Sequence, residues 1–195
     1  MPTNLPNLLT LSRIVAIPAL IALFWVPPPT GNWLVFAIFV AAALTDLLDG
    51  WLARRWQQVS ALGRFLDPIA DKLLVAAALL MLVAWDRIGG LAVLPAIVIL
   101  CREILVSGLR EFLAELKVRV PVSNLAKWKT TIQMVAIAIL LVGDAGPRFL
   151  PVREIGEIGL WVAAALTLVT GYDYLRAGLA HMTGPAPPPA PPSGP

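Results

Sequence analysis

Charge, cysteine and histidine are all scarce in this chain. Only 14% of its 195 residues are charged, against 58% hydrophobic, and a mean hydropathy of +0.80 excludes a soluble domain. Cys101 is the single cysteine, so no intrachain disulfide can form, and it is expected to be a small buried packing residue. His181 is the single histidine, at the start of the C-terminal tail, and no catalytic role is expected of it. The N-terminal segment MPTNLPNLLTLSR has neither a basic n-region nor a small-residue cleavage site before the first apolar run, so the first span is expected to stay.

Long apolar runs are present instead. A bilayer crossing takes about 20 residues, and polar or proline-rich breaks divide the chain into six runs. Residues 1–10, with Pro2, Asn4, Pro6 and Asn7, predict a short N-terminal interfacial segment. The first span then runs through Ile14 to Val26, with Arg13 expected to snorkel to the interface. PPPTG at 27–31 ends it. A second span runs from Asn32 to Trp56, a third from Gly63 to Trp85 and a fourth from Leu91, with a turn at Asp86–Gly90. A fifth follows the break at Pro121 and ends at Val142, GDAGPRFLPVREIGE is an outward loop or short interfacial helix, and the sixth covers Ile158 to Leu175. The fold expected is all-α and integral to the membrane, with six transmembrane helices in a domain over 1–180 and a Pro-rich disordered tail over 181–195.

All fifteen Lys and Arg except Arg87, Arg148 and Arg153 fall on one side of these spans. The positive-inside bias puts that side, with both termini, in the cytoplasm. A formal charge of +3 and a pI near 9.4 suit membrane lipids of anionic character or phosphate substrates. Because the basic residues flank apolar spans, nucleic acid is not an expected partner.

One stretch breaks the apolar pattern. TDLLDGWLARRWQQVSALGRFLDPIADK, residues 45–72, carries Asp46, Asp49, Asp67 and Asp71. Four charges at helix centres would cost roughly 10 to 14 kcal/mol on an insertion scale, so something must compensate them. On one helix Asp46 and Asp49 lie about 60° apart, and on the next Asp67 and Asp71 lie about 40° apart. The polar link between them predicts an antiparallel hairpin with the four carboxylates at similar depth. Hard oxygen donors so arranged suit Mg²⁺ or a similar cation that keeps phosphates and water among its ligands. Gly50 and Ala53 share a face with Asp46 and leave room for a phosphate, a nucleotide or another helix, and Arg54 at the edge of that face could hold a phosphate oxygen.

The nine positions Asp46-x-x-Asp49-Gly50-x-x-Ala53-Arg54, eight residues, then Gly63-x-x-x-Asp67-x-x-x-Asp71, resemble the complete signature of the CDP-alcohol phosphotransferase family. The resemblance implies an integral-membrane enzyme that moves a phosphatidyl group from a CDP-linked lipid to an alcohol. It implies two metal ions, Mg²⁺ or Mn²⁺, on Asp46, Asp49, Asp67 and Asp71, with Asp71 also the base. It implies a CDP-lipid site bordered by Asp49, Gly50, Ala53, Arg54 and Gly63, and a homodimer. It further implies a bacterial inner (cytoplasmic) membrane, with the active site facing the cytoplasm.

A second polar set lies downstream. Arg102 and Arg110 fall about 80° and 12 Å apart on one helix. Either Arg102 pairs with Glu103 or an aspartate while Arg110 snorkels, or both join Lys127 and Lys129 in an anion pocket. NLPNLLTLSR, REILVSGLRE and KWKTTIQM resemble the phosphatidylglycerophosphate synthase branch of the family. That branch implies CDP-diacylglycerol as donor and glycerol 3-phosphate as acceptor, with Arg102, Arg110, Lys127 and Lys129 on the acceptor phosphate. The alternatives are a relative using inositol phosphate or phosphatidylglycerol and, from another class, a cation transporter, although transport sites are expected near the midplane. Asp173 and Arg176, three residues apart, are expected to be a structural pair.

Overall fold

The computed structural model describes residues 5–56, 61–115 and 124–182; within these, the side chains of residues 49–56 and of several positions near helix ends lie outside the description. Six helices make up nearly all of it: α1 (Leu5–Leu23), α2 (Thr30–Trp56), α3 (Ala61–Ala84), α4 (Val93–Glu115), α5 (Asn124–Val142) and α6 (Val152–Met182). No strand occurs among the described residues.

Prolines set several of the helix limits. Pro27, Pro28 and Pro29 bring no backbone donors, so α1 stops before them and α2 restarts at Thr30. Residues 5–10, expected as an interfacial lead-in, are instead the first turns of α1. The sixth helix also begins earlier than expected. Pro151 supplies the carbonyl that accepts from Ile155 N–H at 3.0 Å, and Arg153 pairs with Glu157 one turn on at 3.0 Å. Of the stretch expected as an outward loop or short interfacial helix, residues 143–151 hold a 3-10 turn and a loop, and residues 152–157 form the charged start of α6. At its other end α6 continues to Met182, beyond the end expected for the sixth span at Leu175, and residues 183–195 lie outside the described residues.

The helices alternate in direction. α1 packs on α2 and α3, α6 packs on α4 and α5, and α5 joins the two halves by touching α2 and α3. Leu20, Phe39, Leu79, Ile99, Ile137 and Leu160 form a continuous core between them. The α5–α6 contact is close because α6 presents glycines. A Cβ on Gly156 would sit 2.5 Å from Leu140 Cγ, and one on Gly159 2.8 Å from Ala136 Cβ. Such approach lets dispersion between backbones hold helices together where hydrocarbon surrounds them.

The exterior carries many large apolar side chains, Val15, Leu80, Ile104 and Leu168 among them. A helical surface of this kind is that of an integral membrane protein. Three helical stretches, Gly90–Ala114, Lys127–Ala145 and Val152–Arg176, are long and apolar enough to cross a bilayer, while the apolar stretches Leu8–Leu23 and Thr30–Asp46 are shorter. Cys101 was expected in the core and is exposed on α4. An apolar solvent explains this, since a small thiol fits against lipid as well as against protein.

The end away from the aspartates is closed by a polar clamp. Arg87, between α3 and α4, donates to Leu141 O at 2.6 Å and to Asn32 Oδ1, and Asn32 donates to Val142 O at 2.9 Å. The Arg87 guanidinium also lies 5.3 Å from the Phe24 ring centroid. Burial lowers the Arg87 pKa from its ordinary value and the Asp144 charge opposes that shift. The C-terminal carbonyls of α5 thereby gain a cationic cap. Trp85 meets Phe24 at a tilt and Trp25 edge to face beside the clamp, at 5.4 and 4.7 Å between ring centroids.

Candidate active site

At the opposite end α2 and α3 run antiparallel and place Asp46, Asp67 and Asp71 at the same end of the bundle. Asp46 interacts electrostatically with both Asp67 and Asp71. Helix α1 supplies two partners that the sequence reading did not assign to the site. Thr10 Oγ1 donates to Asp67 Oδ1 at 2.5 Å, and Arg13 Nη1 lies 2.9 Å from Asp46 Oδ1. Arg13 was expected at the interface but is 1% exposed. Packing α1 against both α2 and α3 carries it inward, and the carboxylates supply the counter-charge that makes the burial tolerable. The signal was available in principle, because Thr10 and Arg13 stand three residues apart on one helical face.

Asp49, Gly50, Ala53 and Arg54 belong to helical α2, with side chains outside the description. Gly63 is buried in the first turn of α3. Carboxylates are the hard oxygen donors that Mg²⁺ or Mn²⁺ takes, so the donor chemistry fits. Among the described residues no three acidic, histidine or cysteine side chains form a metal-ligand group.

The second half of the bundle answers these carboxylates with cations. Arg102 on α4 donates to Glu103 Oε1 at 3.2 Å and to Thr170 Oγ1 on α6 at 3.0 Å. Lys129 on α5 donates to the same Glu103 oxygen, and Lys72 on α3 donates to Ser107 Oγ. The pairing of Arg102 with Glu103 is thus present, and it does not exhaust the cations. A cleft of about 430 Å³ is lined by Lys72, Arg102, Arg110 and Lys129 against the carboxylates of Asp71, Glu103 and Glu111. Arg102 lies deep in it and Arg110 is exposed at its side, as two residues a little over two turns apart allow. Lys127 is exposed and does not line the cleft, because it stands two residues from Lys129 and points away. Asp173 and His181 have side chains outside the description.

Gly171 fixes the position of Arg102. A Cβ there would lie 3.1 Å from Arg102 Cγ and 3.4 Å from Nε, so the arginine stem crosses α6 where there is no side chain. A smaller cavity of about 30 Å³ continues inward, lined by Asp71, Lys72, Glu103, Thr130, Gln133 and Met134. Ser107, Thr170 and Gln133 escaped the sequence reading. Gln133 stands one turn beyond Lys129, a spacing that places both on one face.

A carboxylate lining the same cleft as four cationic side chains suits an anionic substrate with a proton to lose. Comparison with known proteins points the same way. A sequence model of the CDP-alcohol phosphatidyltransferase family matches residues 3–169. The chain is similar to proteins named CDP-diacylglycerol–glycerol-3-phosphate 3-phosphatidyltransferase in several bacteria. With that of Rickettsia bellii it shares 49% identity over 174 residues, covering 89% of this chain and 94% of the relative. With that of Pseudomonas fluorescens identity is 44% over 183 residues, covering 92% of each. With that of Cereibacter sphaeroides it is 39% over 215 residues, covering 92% of this chain and 97% of the relative.

Proposed function

We propose a reaction for this chain on one premise: it belongs to the CDP-alcohol phosphatidyltransferase family. The enzyme transfers the phosphatidyl group of CDP-diacylglycerol to the primary hydroxyl of glycerol 3-phosphate, giving phosphatidylglycerophosphate and CMP. The observation that carries this reading is the cleft in which Asp71 shares a wall with Arg102, Arg110 and Lys129. An acceptor that bears its own phosphate needs such cations, and its hydroxyl needs a base nearby.

In the mechanism, Arg102, Arg110 and Lys129 hold the acceptor phosphate and turn its hydroxyl toward Asp71. Asp71 takes the hydroxyl proton as the oxygen bonds to the phosphatidyl phosphorus. The bond from that phosphorus to the CMP oxygen breaks, and CMP leaves with the electron pair. Asp49, Gly50, Ala53, Arg54 and Gly63 border the CDP-lipid. Asp46, Asp49, Asp67 and Asp71 would hold two Mg²⁺ or Mn²⁺ ions, whose chemistry is neutralisation of pyrophosphate charge. Thr10 and Arg13 orient Asp67 and Asp46 from α1.

All six helices cross the bacterial inner membrane in this reading, with the cleft and both termini on the cytoplasmic side, where the basic residues concentrate. Lipid tails enter laterally and CMP leaves to the cytoplasm. Family resemblance carries a homodimer with it.

The test is an acceptor panel with CDP-diacylglycerol, run with and without chelator. Product with glycerol 3-phosphate that disappears on chelation and returns with Mg²⁺ is expected. Robust product with inositol phosphate or phosphatidylglycerol, and none with glycerol 3-phosphate, would replace the acceptor.

A further inference from the structure

Gln133 is buried to 3% exposure on α5, and no described residue donates to its Oε1. A buried carbonyl without a donor loses its hydration and gains nothing in return, so it calls for a partner that the described residues do not supply. The atom belongs to a residue that lines the 30 Å³ cavity with Asp71, Lys72, Glu103 and Thr130. Those same four residues also line the large cleft. The small cavity is therefore the inner end of the cleft, with room for one hydroxyl group and its carbon. Lys129, one turn before Gln133 on the same face, belongs to the lining of the cleft proper.

We propose that Gln133 determines acceptor specificity by accepting a hydrogen bond from a second hydroxyl of the acceptor. The inference rests on the reaction proposed above. It names the acceptor class as a small phosphorylated polyol whose reacting hydroxyl has a hydroxylated neighbour. The chemistry orders the contacts along the substrate. Lys129 and its neighbouring cations hold the phosphate, Asp71 receives the proton of the terminal hydroxyl, and the hydroxyl on the carbon between points to Gln133. A site built around such a bond rejects an acceptor that lacks the hydroxyl, because the amide oxygen then stays buried without a donor.

The experiment compares glycerol 3-phosphate with 3-hydroxypropyl phosphate, which lacks only the middle hydroxyl, in wild-type enzyme and in Gln133→Leu. Wild type is expected to favour glycerol 3-phosphate by about tenfold to a hundredfold in kcat/KM. In Gln133→Leu that ratio should collapse toward one, mainly through loss on glycerol 3-phosphate. Turnover of the deoxy acceptor shows that the variant is folded. Equal loss on both acceptors, or an unchanged ratio, would overturn the assignment of Gln133 while leaving the reaction intact. No product from wild type with glycerol 3-phosphate would sink the reaction and this inference together.

Discussion

The two ends of the bundle treat buried charge in opposite ways. At the far end Arg87, Asn32 and two α5 carbonyls answer one another, and an aromatic ring flanks the guanidinium. At the other end Glu103 serves both Arg102 and Lys129, yet Arg102 Nε and Gln133 Oε1 meet no partner among the described residues. A closed network fixes helices in place, whereas one left open beside a 430 Å³ cleft is arranged for something that arrives later. The same residue types thus brace the fold in one place and await substrate in the other.

The sharpest way to break this contrast is to substitute at each end and read activity and stability separately. Asp71→Asn keeps shape and removes the proton acceptor, so CMP release should fall about a hundredfold to ten-thousandfold. Helix content by circular dichroism should not change. Retained activity would leave the open end without its chemistry. Arg87→Ala should do the reverse, leaving Asn32 Oδ1 and the Leu141 carbonyl without their donor at a cost of about 3 kcal/mol. Its thermal transition in detergent should fall while kcat/KM, measured well below the transition, stays at the wild-type value. A matching drop in kcat/KM would mean that the clamp is coupled to the site.

Much of the open end was legible in the sequence. Charges are so rare in this chain that Asp46, Asp49, Asp67 and Asp71, with the polar link between the two pairs, predict a two-helix hairpin with facing acids. The cations were readable as a set, but not their division between Glu103 and the cleft, since pairing depends on how α4, α5 and α6 meet. The contribution of α1 was hidden by distance along the chain: Thr10 and Asp67 are 57 residues apart. Arg13 directly precedes the apolar run Ile14–Val26, where snorkelling is the ordinary outcome, and only the packing of α1 against α2 and α3 buries it. Cys101 misled because burial rules for water do not carry over to a surface facing lipid. The early start of α6 was hidden because the charges of Arg153 and Glu157 look like a loop until they are paired across one helical turn.

The smallest effect tests whether the open end is shaped as finely as the clamp. Gly171→Ala adds one methyl group that meets Arg102 Cγ at 3.1 Å and Nε at 3.4 Å. The arginine must shift by a few tenths of an ångström, which loosens its 3.0 Å bond to Thr170 and moves the guanidinium in the cleft. Helix stability works the other way, because alanine is favoured over glycine inside a helix by up to about 1 kcal/mol. Little net change in thermal stability is therefore expected. Asp71 on α3 is untouched, so kcat should hold while KM for glycerol 3-phosphate rises several-fold, about 1 kcal/mol of lost phosphate binding. A fall in kcat at constant KM would show that Arg102 acts on the transferred phosphoryl group instead of the acceptor phosphate. An unchanged KM would show that its position is not set by the gap at Gly171.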